Sequence, residues 1–197
     1  DAYRMENCSS AATITVRGNG EALIGGLANS VTHLSNSHHR GTISFTGNVI
    51  NSRAKNRGKP VYPSWFKMGG VCTVSGKTVS GCSNTGSLTV NASGDNIMIG
   101  GVIGETNRSV CTDLFNTGGI RLNATGDIKY AEIGGVIGRG MPYPSNPQFR
   151  TTGYADSGYI YNTGTVTATV TTGKKIFVGG VGGGLQDQHG TLTSVEF

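Results

Sequence analysis

An apolar residue followed by two glycines and a second apolar residue recurs five times along the chain, and no other feature limits the fold as much. The copies are Ile24-Gly25-Gly26-Leu27, Met68-Gly69-Gly70-Val71, Ile99-Gly100-Gly101-Val102, Ile133-Gly134-Gly135-Val136 and Val178-Gly179-Gly180-Val181. A second anchor lies between them: Asn-Thr-Gly and an alternating run at 84–90, 116–122 and 162–168, with degenerate copies at 39–45 and 10–16. Successive Gly-Gly pairs are 44, 31, 34 and 45 residues apart. The short steps give the unit, and the long ones carry insertions. Self-similarity at such a period marks a repeat architecture.

Within a unit, three short stretches alternate apolar and polar residues with a period of two, punctuated by Gly and Asn. Such stretches are half-buried strands. One unit cannot bury its own apolar face, but units stacked in register share an interior and pair each strand with its equivalent one coil away. The chain is therefore expected to be all-β, a parallel β-solenoid (β-helix) of about four coils with two loop insertions. Propeller blades are the rival, but they need roughly 40–50 residues and four strands per unit. Composition agrees with strands and tight turns. Gly, Thr, Ser and Asn make up close to half of the 197 residues, and charged residues only 14%, an alphabet that disfavours helix.

Stacking predicts apolar columns. One runs Ile14, Ile43, Leu88, Ile120, Val166; its neighbour runs Val16, Phe45, Val90, Leu122, Ala168; a third runs Ile24, Met68, Ile99, Ile133, Val178. Thr15, Ser44, Thr89, Arg121 and Thr167 stand outward between the first two, and a one-residue slip would turn every core residue out. Asn84, Asn116 and Asn162 form a candidate amide ladder, each bonding its neighbour about 4.8 Å along the stack. The four cysteines fall in apolar columns: Cys8 and Cys82 with Ser37, Leu114 and Ile160; Cys72 with Ala28, Ile103 and Ile137; Cys111 with Leu34 and Val79. They are read as reduced thiols acting as small hydrophobes. The alternative is a disulfide framework, since the count is even. A Cys8–Cys82 bridge would span two coils, roughly 9.6 Å, beyond the about 7 Å limit between α-carbons.

Gly-Gly-Val-Ile-Gly at 100–104 and 134–138, with turns such as Cys-Ser-Asn-Thr-Gly at 82–86, resembles the GLUG-type repeats of bacterial surface adhesins and secreted peptidases. The resemblance runs from about Cys8 to Leu192. It implies export, a place outside the cell or on its surface, and a part of a large protein other than its catalytic part. The runs at 69–73 and 25–29 lack the final glycine, so those coils are expected to turn differently.

Recognition residues collect in loops on rigid scaffolds. The first insertion, about 51–67, holds Arg53, Lys55, Arg57, Lys59 and Lys67 and no acid, a charge of +5 that equals the net charge of the whole chain. Tyr62 and Trp65, the only tryptophan, accompany it, with Pro60 and Pro63 stiffening the path. Basic side chains beside aromatics hold an acidic glycan, a phosphate backbone or an anionic protein surface. Phe66 shares a column with Ile97, Ala131 and Ile176 and reads as core, which turns Trp65 outward or into the flap. The second insertion, about 139–158, carries Tyr143, Phe149, Tyr154, Arg139 and Arg150. Its rings suit a sugar platform or a small satellite core. The two insertions interrupt different segments of the coil and are expected to leave it at different corners. The ligand-binding candidates are thus Arg57, Lys59, Tyr62, Trp65, Tyr143 and Tyr154.

Polysaccharide lyases and hydrolases on β-helices bring two carboxylates, or a carboxylate and a base, together at a groove. The eleven acids fall in unrelated columns, and no pair is expected side by side on adjacent coils. His33, His38, His39 and His189 show no metal-ligand spacing, and no cofactor motif stands out. Thr13, Thr15, Thr165 and Thr167 hint at an ice- or crystal-binding face, interrupted by Gly119 and Arg121. No run approaches the roughly 18 apolar residues that cross a bilayer. The sequence reading is a single domain over 1–197, a segment of a longer protein whose further repeats, or another chain, cover the coil ends. It is structural and adhesive rather than enzymatic. Its partner is a glycan or a host or bacterial surface protein, not nucleic acid.

Overall fold

In a computed structural model of the chain, which describes residues 2–49, 65–107, 109–141 and 159–185, every regular element is a strand. The strands form three parallel sheets and the fold is a parallel β-solenoid. Sheet one stacks Ala2–Glu6, Ala28–Ser35, Cys72–Ser80, Ile103–Asn107, Ile137–Met141 and Gly182–Leu185. Sheet two stacks the short strands Ser9–Ser10, His38–His39, Ser83–Asn84, Leu114–Asn116 and Ile160–Asn162. Sheet three stacks Ile14–Arg17, Ile43–Val49, Leu88–Gly100, Ile120–Gly134 and Val166–Thr169, joined by Ala22–Gly25, Trp65–Gly69 and Gly173–Gly179.

The registers reproduce the columns. Leu88 pairs with Ile43 on one side and Ile120 on the other, and Ile120 with Val166. Ile99 pairs with Met68 and Ile133. Phe66 is completely buried in the column of Ala22, Ile97, Ala131 and Ile176. The corner between sheets one and two is built the same way in the first four coils, by one residue in the left-handed region: Asn7 (φ 54°), Asn36 (45°), Gly81 (60°) and Asp113 (52°). These residue types reach that region at least cost.

The interior is not one lumen. One apolar cluster, around Phe45, Phe66, Leu88, Ile97 and Ile120, lies within the folded sheet three; the other, around Val31, Val71, Cys72, Cys82 and Leu114, lies within sheets one and two. Between them Gly70, Gly101 and Gly135 meet the asparagine ladder across the interior, whereas Gly180 of the last pair has nothing within 4 Å of an added carbon. A Cβ on Gly101 would lie 2.6 Å from Asn116 Cγ, one on Gly70 2.6 Å from Asn84 Cγ, and one on Gly135 2.5 Å from Asn162 Cγ. In the first coil His39 takes the asparagine's place opposite Gly26. Asn84 Nδ2 donates to Asn116 Oδ1, and Asn116 Nδ2 to Asn162 Oδ1, each at 2.8 Å. Each amide also donates to the glycine carbonyl two residues on, Gly86, Gly118 and Gly164. A buried polar row is tolerated because its donors and acceptors are matched.

The cysteines are unpaired, with Cys72, Cys82 and Cys111 buried and Cys8 half-buried. Burial pushes the Cys82 thiol up to about 11 and Cys111 up to about 12, and raises Cys72 as well, so these are inert packing groups. Three expectations change. Trp65, Phe66 and Lys67 are strand residues in register with Ala22–Gly25 and with 96–98, and Arg139 lies in the strand Ile137–Met141. The ladder therefore continues into both supposed insertions, because alternation persists up to Trp65 and past Gly138. The coils lacking the final glycine keep the common register too, with Cys72 opposite both Ala28 and Ile103, because ladder pairing and not that residue sets the path.

Gly101→Ala should force the waist apart and cost on the order of 3 kcal/mol, lowering Tm by roughly 6–12 °C. Gly119→Ala, whose added carbon meets nothing within 4 Å, should stay within about 0.5 kcal/mol of the parent. Thermal melts of the two variants check this, and equal Tm values would contradict the packing described.

Candidate functional site

Outside the Gly-Gly corner the wall folds into a cleft. Alternation sends Ile97 and Ile99 into the apolar interior, so Met98 points out, as do its column neighbours Lys67 and Glu132. Met98 and Glu132 are nevertheless completely buried. They are covered because the chain doubles back after Gly-Gly and lays the outer face of sheet one against that of sheet three. The last glycine of Gly-Gly-Val-Ile-Gly permits this approach: a Cβ on Gly104 would lie 2.9 Å from the Met68 carbonyl oxygen, and one on Gly138 2.8 Å from the Ile99 carbonyl carbon.

Two outward columns converge there. Sheet three supplies Leu23, Lys67, Met98, Glu132 and Phe177; sheet one supplies Ser30, Val74, Glu105, Arg139 and Gly184. Lys67 Nζ is ion-paired with Glu105 Oε2. Arg139 Nε lies 3.6 Å from Glu132 Oε2, and the Tyr130 hydroxyl donates to Glu132 Oε1 at 2.6 Å. A Cβ on Gly184 would sit 2.0 Å from Glu132 Oε1, so a larger residue there would have to displace that carboxylate. Trp65, half-buried beside the cleft, has the Lys67 ammonium 5.5 Å and the Arg139 guanidinium 5.4 Å from its ring centroid. Both cations are within reach of the ring quadrupole.

The four charges balance, two basic against two acidic, and little of any is exposed: 18% of the Lys67 side chain, 15% of Arg139, 8% of Glu105 and none of Glu132. Burial holds the Glu132 carboxyl above its ordinary range; the Tyr130 hydrogen bond and Arg139 pull it back, and Glu105 raises it further.

Among the sequence-predicted binding residues, Trp65 stands in this cluster. Arg57, Lys59, Tyr62, Tyr143 and Tyr154 lie outside the described residues. The two insertions interrupt different segments of the coil as expected, the first within sheet three and the second between sheets one and two, but the Trp65–Arg139 contact brings the end of the first close to the start of the second. Glu105 and Glu132 stand in separate columns, as expected, but belong to one charge cluster through Lys67 and Arg139. Lys67, Tyr130 and Arg139 were missed as site residues as well. Their signal was a mixed column, Leu-Lys-Met-Glu-Phe, directly before the Gly-Gly pairs, facing a column that ends in glycine. Among the described residues no group of three or more His, Cys, Asp or Glu could hold a metal ion. No known protein family, curated protein or solved structure matches the chain.

A raised folded-state carboxyl keeps a proton that the unfolded chain has already released. Its contribution to stability is therefore full below the ordinary carboxylate range and is lost as pH rises through the raised value. Denaturant melts from about pH 4 to about pH 8 should show the wild type losing stability relative to Glu132→Gln with rising pH. A constant or opposite difference would mean that Glu132 titrates normally.

Proposed function

We propose that this chain is a non-catalytic structural and adhesive module of a secreted or surface-displayed bacterial protein, and that it holds an acidic glycan or an anionic protein surface around Trp65. The observation that carries the reading is the Trp65 ring set against Lys67 and Arg139 on neighbouring strands. An indole fixed on a β-scaffold gives contact area at low ordering cost, and adjacent cations add attraction for negative groups. Arg57, Lys59 and Tyr62 precede Trp65 closely in the chain, and Tyr143 follows Arg139 closely. The resemblance of the Gly-Gly-Val-Ile-Gly runs to GLUG-type repeats supports export and a scaffolding role.

The rival is a polysaccharide-cleaving enzyme, and the Glu105–Glu132 pair gives it a specific basis. Hydrolysis needs carboxylates that reach a sugar and a water. Glu132 is sealed under Gly184 and bonded to Tyr130, and Glu105 is engaged by Lys67. That arrangement favours a structural charge network over an acid–base pair.

A glycan array probed with the wild type, Trp65→Ala and Lys59→Ala tests the proposal. Binding to acidic glycans should fall about tenfold in Trp65→Ala, the equivalent of about 1.4 kcal/mol, and should weaken with salt. Equal, salt-insensitive binding by all three would remove this ground from consideration, and release of reducing ends from any polysaccharide would favour the enzyme.

A further inference from the structure

Alternation turns Gly119 and Arg121 outward on sheet three, on either side of the buried Ile120. They break a face made of hydroxyls and amides. The segments 14–17, 43–46, 88–91, 120–123 and 166–169 pair in register and contain no Asp or Glu. Elsewhere on this face, polar side chains on neighbouring rungs bond one another. Ser44 Oγ donates to Thr15 Oγ1, Asn123 Nδ2 donates to Asn91 Oδ1, and the Thr42 and Ser87 hydroxyls lie 3.3 Å apart. At the break these links stop. Gly119 has no side chain to offer Ser87 or Thr165, its neighbours along the column. The side chains of Thr89, Arg121, Thr165 and Thr167 have no hydrogen-bond or ion-pair partner among the described residues. The result is a notch of about 200 Å³ lined by Ser87, Thr89, Gly119, Arg121, Thr165 and Thr167. A carbon added to Gly119 would meet nothing within 4 Å, so the notch is open.

We propose that this notch binds the sulfate or carboxylate group of an anionic polysaccharide. Arg121 presents a planar fork of N–H donors that matches the oxygens of either group. The hydroxyls of Thr89, Thr165 and Thr167 donate to the remaining oxygens or exchange hydrogen bonds with those of the sugar. Gly119 is what lets such a group come alongside the guanidinium. With a Ser or Thr there, as at positions 87 and 165 of the same column, the space would be filled. No carboxylate of the stacked segments competes for Arg121 or repels an anion, and Arg17 adds a second exposed cation to the same face. The notch is smaller than the pockets that enclose drug-sized ligands and suits one sugar unit. The hydroxyl rows that continue along the stack suit a chain running past it. The inference stands apart from the reading of Trp65 and needs nothing from the cleft.

Dextran sulfate and carboxymethyl dextran are the probes, with uncharged dextran as control, and affinities are measured at about 0.15 M salt. The full chain should bind at least one charged polymer more tightly than dextran, and the tighter one names the group held. Arg121→Gln should lower that affinity about tenfold. Arg121→Lys keeps the charge without the fork and should restore only part of it. Gly119→Thr leaves every charge in place and fills the notch, so it should weaken binding about as much as Arg121→Gln. Both positions are exposed, so the variants should melt with the wild type. Trp65→Ala is measured alongside. Loss of binding in both Arg121→Gln and Gly119→Thr supports the notch, whatever Trp65→Ala does. Undiminished binding in both overturns it, and the reading of Trp65 survives if Trp65→Ala alone is impaired. A loss in Arg121→Gln that Arg121→Lys fully restores and Gly119→Thr does not share is diffuse surface charge, and also overturns the notch. So does failure of the wild type to bind either charged polymer.

Discussion

The contact between the second glycine of the three central Gly-Gly pairs and the asparagine facing it across the interior governs the rest of the molecule. Gly70, Gly101 and Gly135 have no room for a side-chain carbon because it would lie 1.8–2.0 Å from the carbonyl oxygen of the next coil's glycine and 2.5–2.6 Å from the amide carbon of Asn84, Asn116 or Asn162. The amides in turn are satisfied by each other and by the Gly86, Gly118 and Gly164 carbonyls. A continuous row of matched donors can be buried without the penalty of orphaned polar groups, and it divides the apolar filling into two narrow lobes. Narrow lobes suit an alphabet rich in Val, Ile and Cys, and the Phe rings buried among the described residues are Phe45 and Phe66, both in sheet three.

The waist also makes the outer cleft. Because the wall is drawn in at Gly-Gly, the outward faces on either side of it meet, and residues that alternation assigns to solvent are buried: Met98, Glu132 and most of Glu105. Charge buried in this way survives only when paired, hence Lys67 against Glu105 and Arg139 with Tyr130 against Glu132. The same fold brings Trp65 against Arg139, at the end of the first insertion and the start of the second. One constraint at the centre of the coil thus sets the position and the chemistry of a ground on which aromatic, basic and acidic groups converge.

The columns were legible in the sequence because a strand's alternation and a repeat's register are local properties. The Ile14–Val166 and Ile24–Val178 columns, the place of Phe66 in the core, the asparagine ladder and the unpaired cysteines all followed from aligning the glycine pairs. The cleft was not legible. Glu105 and Glu132 belong to columns on different sheets, and nothing in either column reports that the wall folds inward. The third glycine at 104, 138 and 183 carried that information, but a glycine required by close approach looks the same in sequence as one required by a turn. The boundaries at Lys67 and Arg139 were missed for a related reason. A charged residue at a strand end reads as loop unless its partner across the cleft is known.

Hydrogen exchange of the asparagine side-chain amides, followed by NMR, tests the central constraint most directly. The Asn84 and Asn116 Nδ2 protons should exchange orders of magnitude more slowly than those of exposed asparagines such as Asn29, and each should show through-space contacts to the next rung of the ladder. Exchange of Asn84 and Asn116 at the rate of the exposed amides, without those contacts, would mean that the glycine–asparagine waist does not exist.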